Sequence, residues 1–70
     1  MLKHSPRVYL KFVLPSGNTR EGWFTPSTKL VDIMTGFGVK GTAELNKRAL
    51  DQEGDLKQLE LRNDDIIIIK

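Results

Sequence analysis

The sequence predicts an α+β domain: a mixed sheet with its first and last strands central and parallel, and one amphipathic helix across one face. Three observations predict it. Residues 8–14 alternate, with Val8, Leu10, Phe12 and Leu14 on one side and Tyr9, Lys11 and Val13 on the other, the period of a half-buried strand. Leu30, Ile33, Met34 and Phe37 fall at i, i+3, i+4 and i+7, the stripe of a helix that covers an apolar surface. Behind the polar turn Arg62-Asn63-Asp64-Asp65 comes Ile66-Ile67-Ile68-Ile69, four β-branched residues that suit a pleated backbone and read as a strand in the middle of a sheet.

In chain order, residues 1–6 are polar and end on Pro6, which predicts a flexible tail and leaves residues 7–70 as a single domain. Pro15-Ser16-Gly17-Asn18 is turn chemistry, with proline presetting φ. Residues 19–24 return as the second strand of a hairpin, and polar Thr19, Arg20 and Glu21 with the weakening Gly22 mark it as an edge. Thr25-Pro26 stops that strand, Ser27 or Thr28 is placed to cap the helix, and Gly36 and Gly38 end it after about ten residues. Met34 and Phe37 belong to the core on this reading, because the sheet needs that cover.

Residues 42–50 have helical propensity and fit equally a tight hairpin turning at Asn46. A polar turn at residues 51–54 precedes a short helical turn at residues 55–61, carrying Leu56, Leu59 and Leu61. The whole chain separates the last strand from the first, so the two pair in parallel through the helical crossover. That places the second strand at one edge and the third at the other.

Seventy residues make one small domain, and 39% hydrophobic with 29% charged residues is a globular composition rather than a disordered or membrane one. Without cysteine there is no disulfide or thiolate metal site, and the single histidine, His4, lacks partners for zinc, so no metal and no cofactor is expected. Residues 1–50 carry eight Lys and Arg against three acids, and residues 51–70 three against six, an asymmetry that can give one basic and one acidic face. No apolar run approaches the ~20 residues of a spanning helix, and no signal peptide opens the chain. The expectation is a soluble, cytoplasmic protein.

This arrangement is that of the β-grasp, or ubiquitin-like, fold. Thr42-Ala43-Glu44-Leu45-Asn46-Lys47-Arg48-Ala49-Leu50 and Leu59-Glu60-Leu61-Arg62-Asn63-Asp64-Asp65-Ile66-Ile67-Ile68 resemble the V-x-x-N-G-x-x-V … L-x-D-G-D-x-I-x-I ending of the small sulfur carriers, the thiazole-synthesis carrier and the molybdopterin-synthase small subunit. Thr28-Lys29-Leu30-Val31-Asp32-Ile33-Met34 looks like their T-V-x-D-L-L helix, so the resemblance runs over residues 8–69. It implies a hairpin at residues 42–50. Sulfur carriers act through a flexible Gly-Gly tail whose carboxylate is adenylated and converted to a thiocarboxylate. The sequence stops at Lys70, so that chemistry transfers only if the natural chain extends further. Asn46-Lys47 and Asp64-Asp65 replace the family's Asn-Gly and Gly-Asp.

Ubiquitin-like domains bind partners through the uncovered face of the sheet, and here that face is expected to be too apolar to stay wet. The candidate partner-binding residues are Tyr9, Lys11, Val13, Trp23, Ile67 and Ile69, although four identical side chains do not themselves say which isoleucine pair faces the helix. The expected partner is a protein or a second copy of the chain. The alternative is a nucleic-acid-binding accessory protein with Arg7, Lys11, Arg20, Lys47 and Arg48 as a basic stripe and Tyr9 and Trp23 as stacking groups. No catalytic residues are assigned: Asp51, Glu53, Asp55, Asp64 and Asp65 lack a neighbouring nucleophile or histidine and read as turn formers. Gly36-x-Gly38-x-x-Gly41 follows a helix rather than a strand, which is not the context of a dinucleotide site.

Overall fold

The computed structural model describes residues 7–70, and the tail expected at residues 1–6 lies outside them. Its elements are β1 (Val8–Val13), β2 (Thr19–Phe24), α1 (Leu30–Phe37), β3 (Ala43–Leu45), β4 (Arg48–Ala49) and β5 (Asp65–Ile69). They form one five-stranded sheet in the order β2-β1-β5-β3-β4, with β1 and β5 parallel and the other neighbours antiparallel. The expected α+β architecture is present. One edge differs: the two-residue strand β4 lies outside β3 and takes its place at the rim.

The β1–β2 hairpin closes where the proline and glycine were read, through Gly17 N–H to the Leu14 carbonyl and Leu14 N–H to the Asn18 carbonyl, both 2.8 Å. Helix α1 is eight residues long, shorter than expected, and its N-terminus is built differently. Neither Ser27 nor Thr28 caps it. The Thr28 hydroxyl instead pairs with the Thr25 hydroxyl at 2.7 Å, and Lys29 occupies the cap position without a side-chain bond. The first free amides, Leu30 and Val31, donate to the backbone carbonyls of Gly54 (3.1 Å) and Gln52 (2.9 Å) across the fold. At the other end Gly38 stands at φ 73 just past the helix, its N–H bonded to the Thr35 carbonyl, while Val39 N–H reaches Met34. These two bonds form a Schellman cap, with Val39 packed against the core that contains Met34.

Residues 42–50 form the hairpin. Leu45 and Arg48 face each other across Asn46 (φ 53) and Lys47 (φ 68), the two left-handed residues of a type I′ loop. Residues 55–61 form the expected helical turn, capped at both ends. Asp55 and Gln58 exchange side-chain acceptors for backbone amides at 2.7 and 3.0 Å, a capping box, and Leu61 N–H returns to the Leu56 carbonyl past Glu60 at φ 56.

The core lies between α1 and one face of the sheet. Leu10, Phe12, Leu30, Met34, Leu56, Ile67 and Ile69 are its largest fully buried side chains. Phe12 holds the centre, with Phe24 and Phe37 meeting it edge-on at centroid distances of 5.8 and 5.2 Å. At the far end of β5, Thr42 and Lys70 exchange a pair of backbone hydrogen bonds of 2.9 and 3.0 Å. Gly41 (φ 142) lies so close that any Cβ there would overlap the Lys70 carbonyl oxygen.

Two substitutions test these backbone constraints. Lys47→Gly removes a left-handed side-chain penalty and is expected to raise stability by about 1 kcal/mol in urea denaturation, with an unchanged denaturant slope. Gly41→Ala is expected to lower stability by about 1–3 kcal/mol, since both its φ and its contact with Lys70 must be relieved. The same denaturation measurement reads it.

Candidate interaction surface

Strand register decides which side chains reach the uncovered face. Across β1 and β2, Tyr9 stands opposite Trp23, Lys11 opposite Glu21 and Val13 opposite Thr19, whereas Phe12 stands opposite Arg20. Across β1 and β5, Lys11 aligns with Ile66, Phe12 with Ile67 and Val13 with Ile68. Laterally paired residues point to the same side of a sheet, so the uncovered face carries Tyr9, Lys11, Val13, Thr19, Glu21, Trp23, Ile66 and Ile68. Beyond them, Glu44 lies beside Ile68 and Ala49 beside Glu44.

This register corrects one expectation. Ile67 and Ile69 are not on the uncovered face: they are 0% and 2% exposed, in the core beneath α1. With Phe12 buried, its lateral partner Ile67 must follow it inward, and Ile69 follows by the period of two. Their places outside are taken by Ile66 and Ile68, 50% and 42% exposed. A run of identical residues has no alternation to read, and only the pairing of two strands far apart in the chain supplies the parity.

Tyr9, Lys11, Val13 and Trp23 lie where the sequence placed them. Trp23 is 59% exposed and tilts against Tyr9, ring centroids 5.1 Å apart at 55°. The neighbouring Glu21 side chain holds the Tyr9 phenol above its ordinary titration range. Desolvation and the charges of Glu21 and Asp64 push the same way. The Tyr9 backbone is also clamped: its N–H donates to Asn63 Oδ1 at 2.9 Å, and its carbonyl accepts from Asp64 N–H at 2.7 Å. The turn before β5 thus sets the register against β1. Across the patch, the exposed Lys70 ammonium meets the half-buried Glu44 carboxylate at 3.4 Å, a surface pair of small energetic weight.

The alternative basic set is not gathered into one stripe. Arg7 precedes β1 and Lys11 is on the uncovered face, while Arg20, opposite buried Phe12, has the helix-side parity. Lys47 and Arg48 lie at the β3–β4 hairpin, across the sheet from β2. Among the acids, Asp51 Oδ1 accepts from Glu53 N–H at 3.0 Å and Asp65 Oδ2 from Arg62 N–H at 2.8 Å, both turn-forming contacts. No group of three or more metal-ligating side chains converges among the described residues. No helix among them is long and apolar enough to cross a membrane.

Comparison with known proteins establishes the fold. A designed protein based on ubiquitin superposes with a TM-score of 0.73 at 15% identity, over 91% of this chain and 87% of its own. Ubiquitin from Caldiarchaeum subterraneum gives 0.67 at 17% identity, over 93% and 95%. The UBL domain of Plasmodium falciparum Dsk2 gives 0.66 at 11% identity, over 93% and 100%. The chain therefore has the ubiquitin-like β-grasp fold. No protein-family model and no curated protein matches the sequence. None of the three structures is a sulfur carrier, and that part of the sequence resemblance gains no support from them.

The isoleucine parity is tested by a contrast between neighbours. Ile67→Ala is expected to cost about 2–5 kcal/mol of stability, as for other buried aliphatic truncations, whereas exposed Ile66→Ala stays within about 1 kcal/mol. Equal losses in denaturant titrations would contradict the register.

Proposed function

We propose that this chain is a non-enzymatic interaction module, an adaptor that presents the uncovered face of its sheet to a protein partner or to a second copy of itself. One observation carries the reading: Trp23, Ile66 and Ile68 are the large apolar residues left exposed among the described residues, and the register puts them on a single face around Tyr9 and Val13. Scattered apolar residues need no explanation, whereas apolar groups gathered on one face mark an interaction surface. Tyrosine and tryptophan are also the side chains that most often dominate binding energy, because each brings a large rigid area with little rotamer entropy to lose.

Charge at this face favours orientation over affinity. Lys11 stands opposite Glu21 in the register, and Asp64 borders Tyr9, so a partner meets an apolar centre with both signs of charge at its rim. The neighbours named as ubiquitin and as a UBL domain support an interaction module, though they name no partner for this chain. The reading takes the module to be cytoplasmic, as its cysteine-free composition allows.

The decisive variants are Tyr9→Glu and Ile66→Glu, which put charge on the face without entering the core. Each is expected to weaken self-association or capture of a purified partner at least tenfold, read by analytical ultracentrifugation and by titration, with the circular dichroism spectrum unchanged. Association that survives both substitutions would exclude the uncovered face as the working surface.

A further inference from the structure

A second surface lies away from the uncovered face. Where β1 begins, helix-side Val8 joins Pro26, Leu56 and Leu61 to form the floor of a cleft of about 630 Å³, with Lys57, Glu60 and Arg62 at its mouth. A second hollow of about 320 Å³, bordered by Thr25, Ser27 and Asp55, shares Pro26 and Lys57 with it and so adjoins it. Backbone bonds hold its walls together: Lys57 N–H donates to the Pro26 carbonyl and Leu56 N–H to the Thr28 carbonyl, each at 3.1 Å. Such a groove exists before anything binds, which spares a ligand the cost of ordering it.

Its electrostatics select the occupant. Lys57 and Arg62 are exposed, and neither lies within 4.0 Å of a carboxylate among the described residues. Glu60 is the one acid at the mouth of the apolar cleft. Asp55, in the adjoining hollow, keeps its charge while its Oδ1 accepts from Gln58 N–H at 2.7 Å, so the apolar cleft, with two cations against one acid, is the more positive of the two. An apolar floor with an excess of one positive charge at its mouth complements an aliphatic group beside a negative charge. We infer that the groove receives a segment of a protein partner that presents an aliphatic side chain next to a carboxylate. One buried aliphatic group and one or two charge-assisted bonds put an isolated short peptide on the order of millimolar affinity.

The test is amide NMR on the full chain, titrated with a blocked tetrapeptide of two leucines flanked by aspartates and with its counterpart flanked by lysines. The aspartate peptide is expected to shift the amides of Val8, Lys57 and Glu60 to Arg62 saturably, and the lysine peptide to bind at least tenfold more weakly. In the double variant Lys57→Glu, Arg62→Glu the preference reverses; both positions are exposed, so the fold is retained. Absence of saturable shifts at these amides, equal response to both peptides, or undiminished aspartate-peptide binding by the double variant would overturn the inference. Binding of octanoate without either peptide would also overturn it, by giving the groove to an anionic amphiphile. Shifts confined to Tyr9, Ile66 and Ile68 would report the uncovered sheet face instead, so the two surfaces succeed or fail separately.

Discussion

The parallel pairing of β1 with β5 is the contact on which the rest of the molecule depends. It joins Leu10 to Asp65 and Val13 to Ile68, residues from opposite ends of the chain, and puts both strands in the interior of the sheet. Its register does more than close the sheet. By setting Ile67 beside Phe12 it completes the core under α1, and by setting Ile66 beside Lys11 it makes the outer face apolar. A slip of one residue would exchange the two pairs of isoleucines at no difference among those four positions, and only the flanking Asp65 and Lys70 would change sides. The turn before β5 guards against that slip: Asn63 and Asp64 bond to the two backbone polar groups of Tyr9 and hold the strand in place before the isoleucines begin.

Much of this was readable in the sequence, for physical reasons that also explain the misses. Alternation in residues 8–14 and the Leu30, Ile33, Met34 and Phe37 stripe are local periodicities imposed by burial on one side, and both led to the observed elements. Pro15 and Gly17 made the first hairpin a local certainty. Ile67 and Ile69 were misplaced because parity in a uniform run resides in its partner strand. The helix cap was misread because Ser27 and Thr28 have the right chemistry, yet the amides they were expected to serve are taken by Gly54 and Gln52, more than twenty residues downstream. Residues 42–50 were ambiguous because Ala, Glu, Leu, Lys and Arg favour helix locally, while pairing of Ala43 and Glu44 with β5 requires strand. For the groove, Pro26, Leu56 and Arg62 carry no shared pattern, and only the fold brings them together.

Backbone conformation shows the same priority of tertiary over local preference. Asn46, Lys47, Glu60 and Asp64 all adopt positive φ, a state that costs an ordinary side chain roughly 1–2 kcal/mol. Each stands where the chain must reverse: the β3–β4 loop, the end of the helical turn, the entry to β5. Asparagine and aspartate tolerate the conformation best, and Lys47 and Glu60 least. For a domain whose whole stability is on the order of 5–15 kcal/mol, these positions consume a substantial share of what the core supplies.

The borrowed cap of α1 has a consequence for how the domain comes apart. A helix of eight residues is too short to persist alone in water, and this one has no side chain of its own to satisfy its leading amides. Its first turn is therefore intact only while the segment bearing Gln52 and Gly54 is docked, and that segment is in turn tied to the helix entry by the bond from Leu56 N–H to the Thr28 carbonyl. The two form one cooperative unit rather than a helix and a loop. Solvent exchange at the Leu30 and Val31 amides then reports the opening of a stretch more than twenty residues away, and the segment that looks most like a surface loop is as slow to open as the helix it completes.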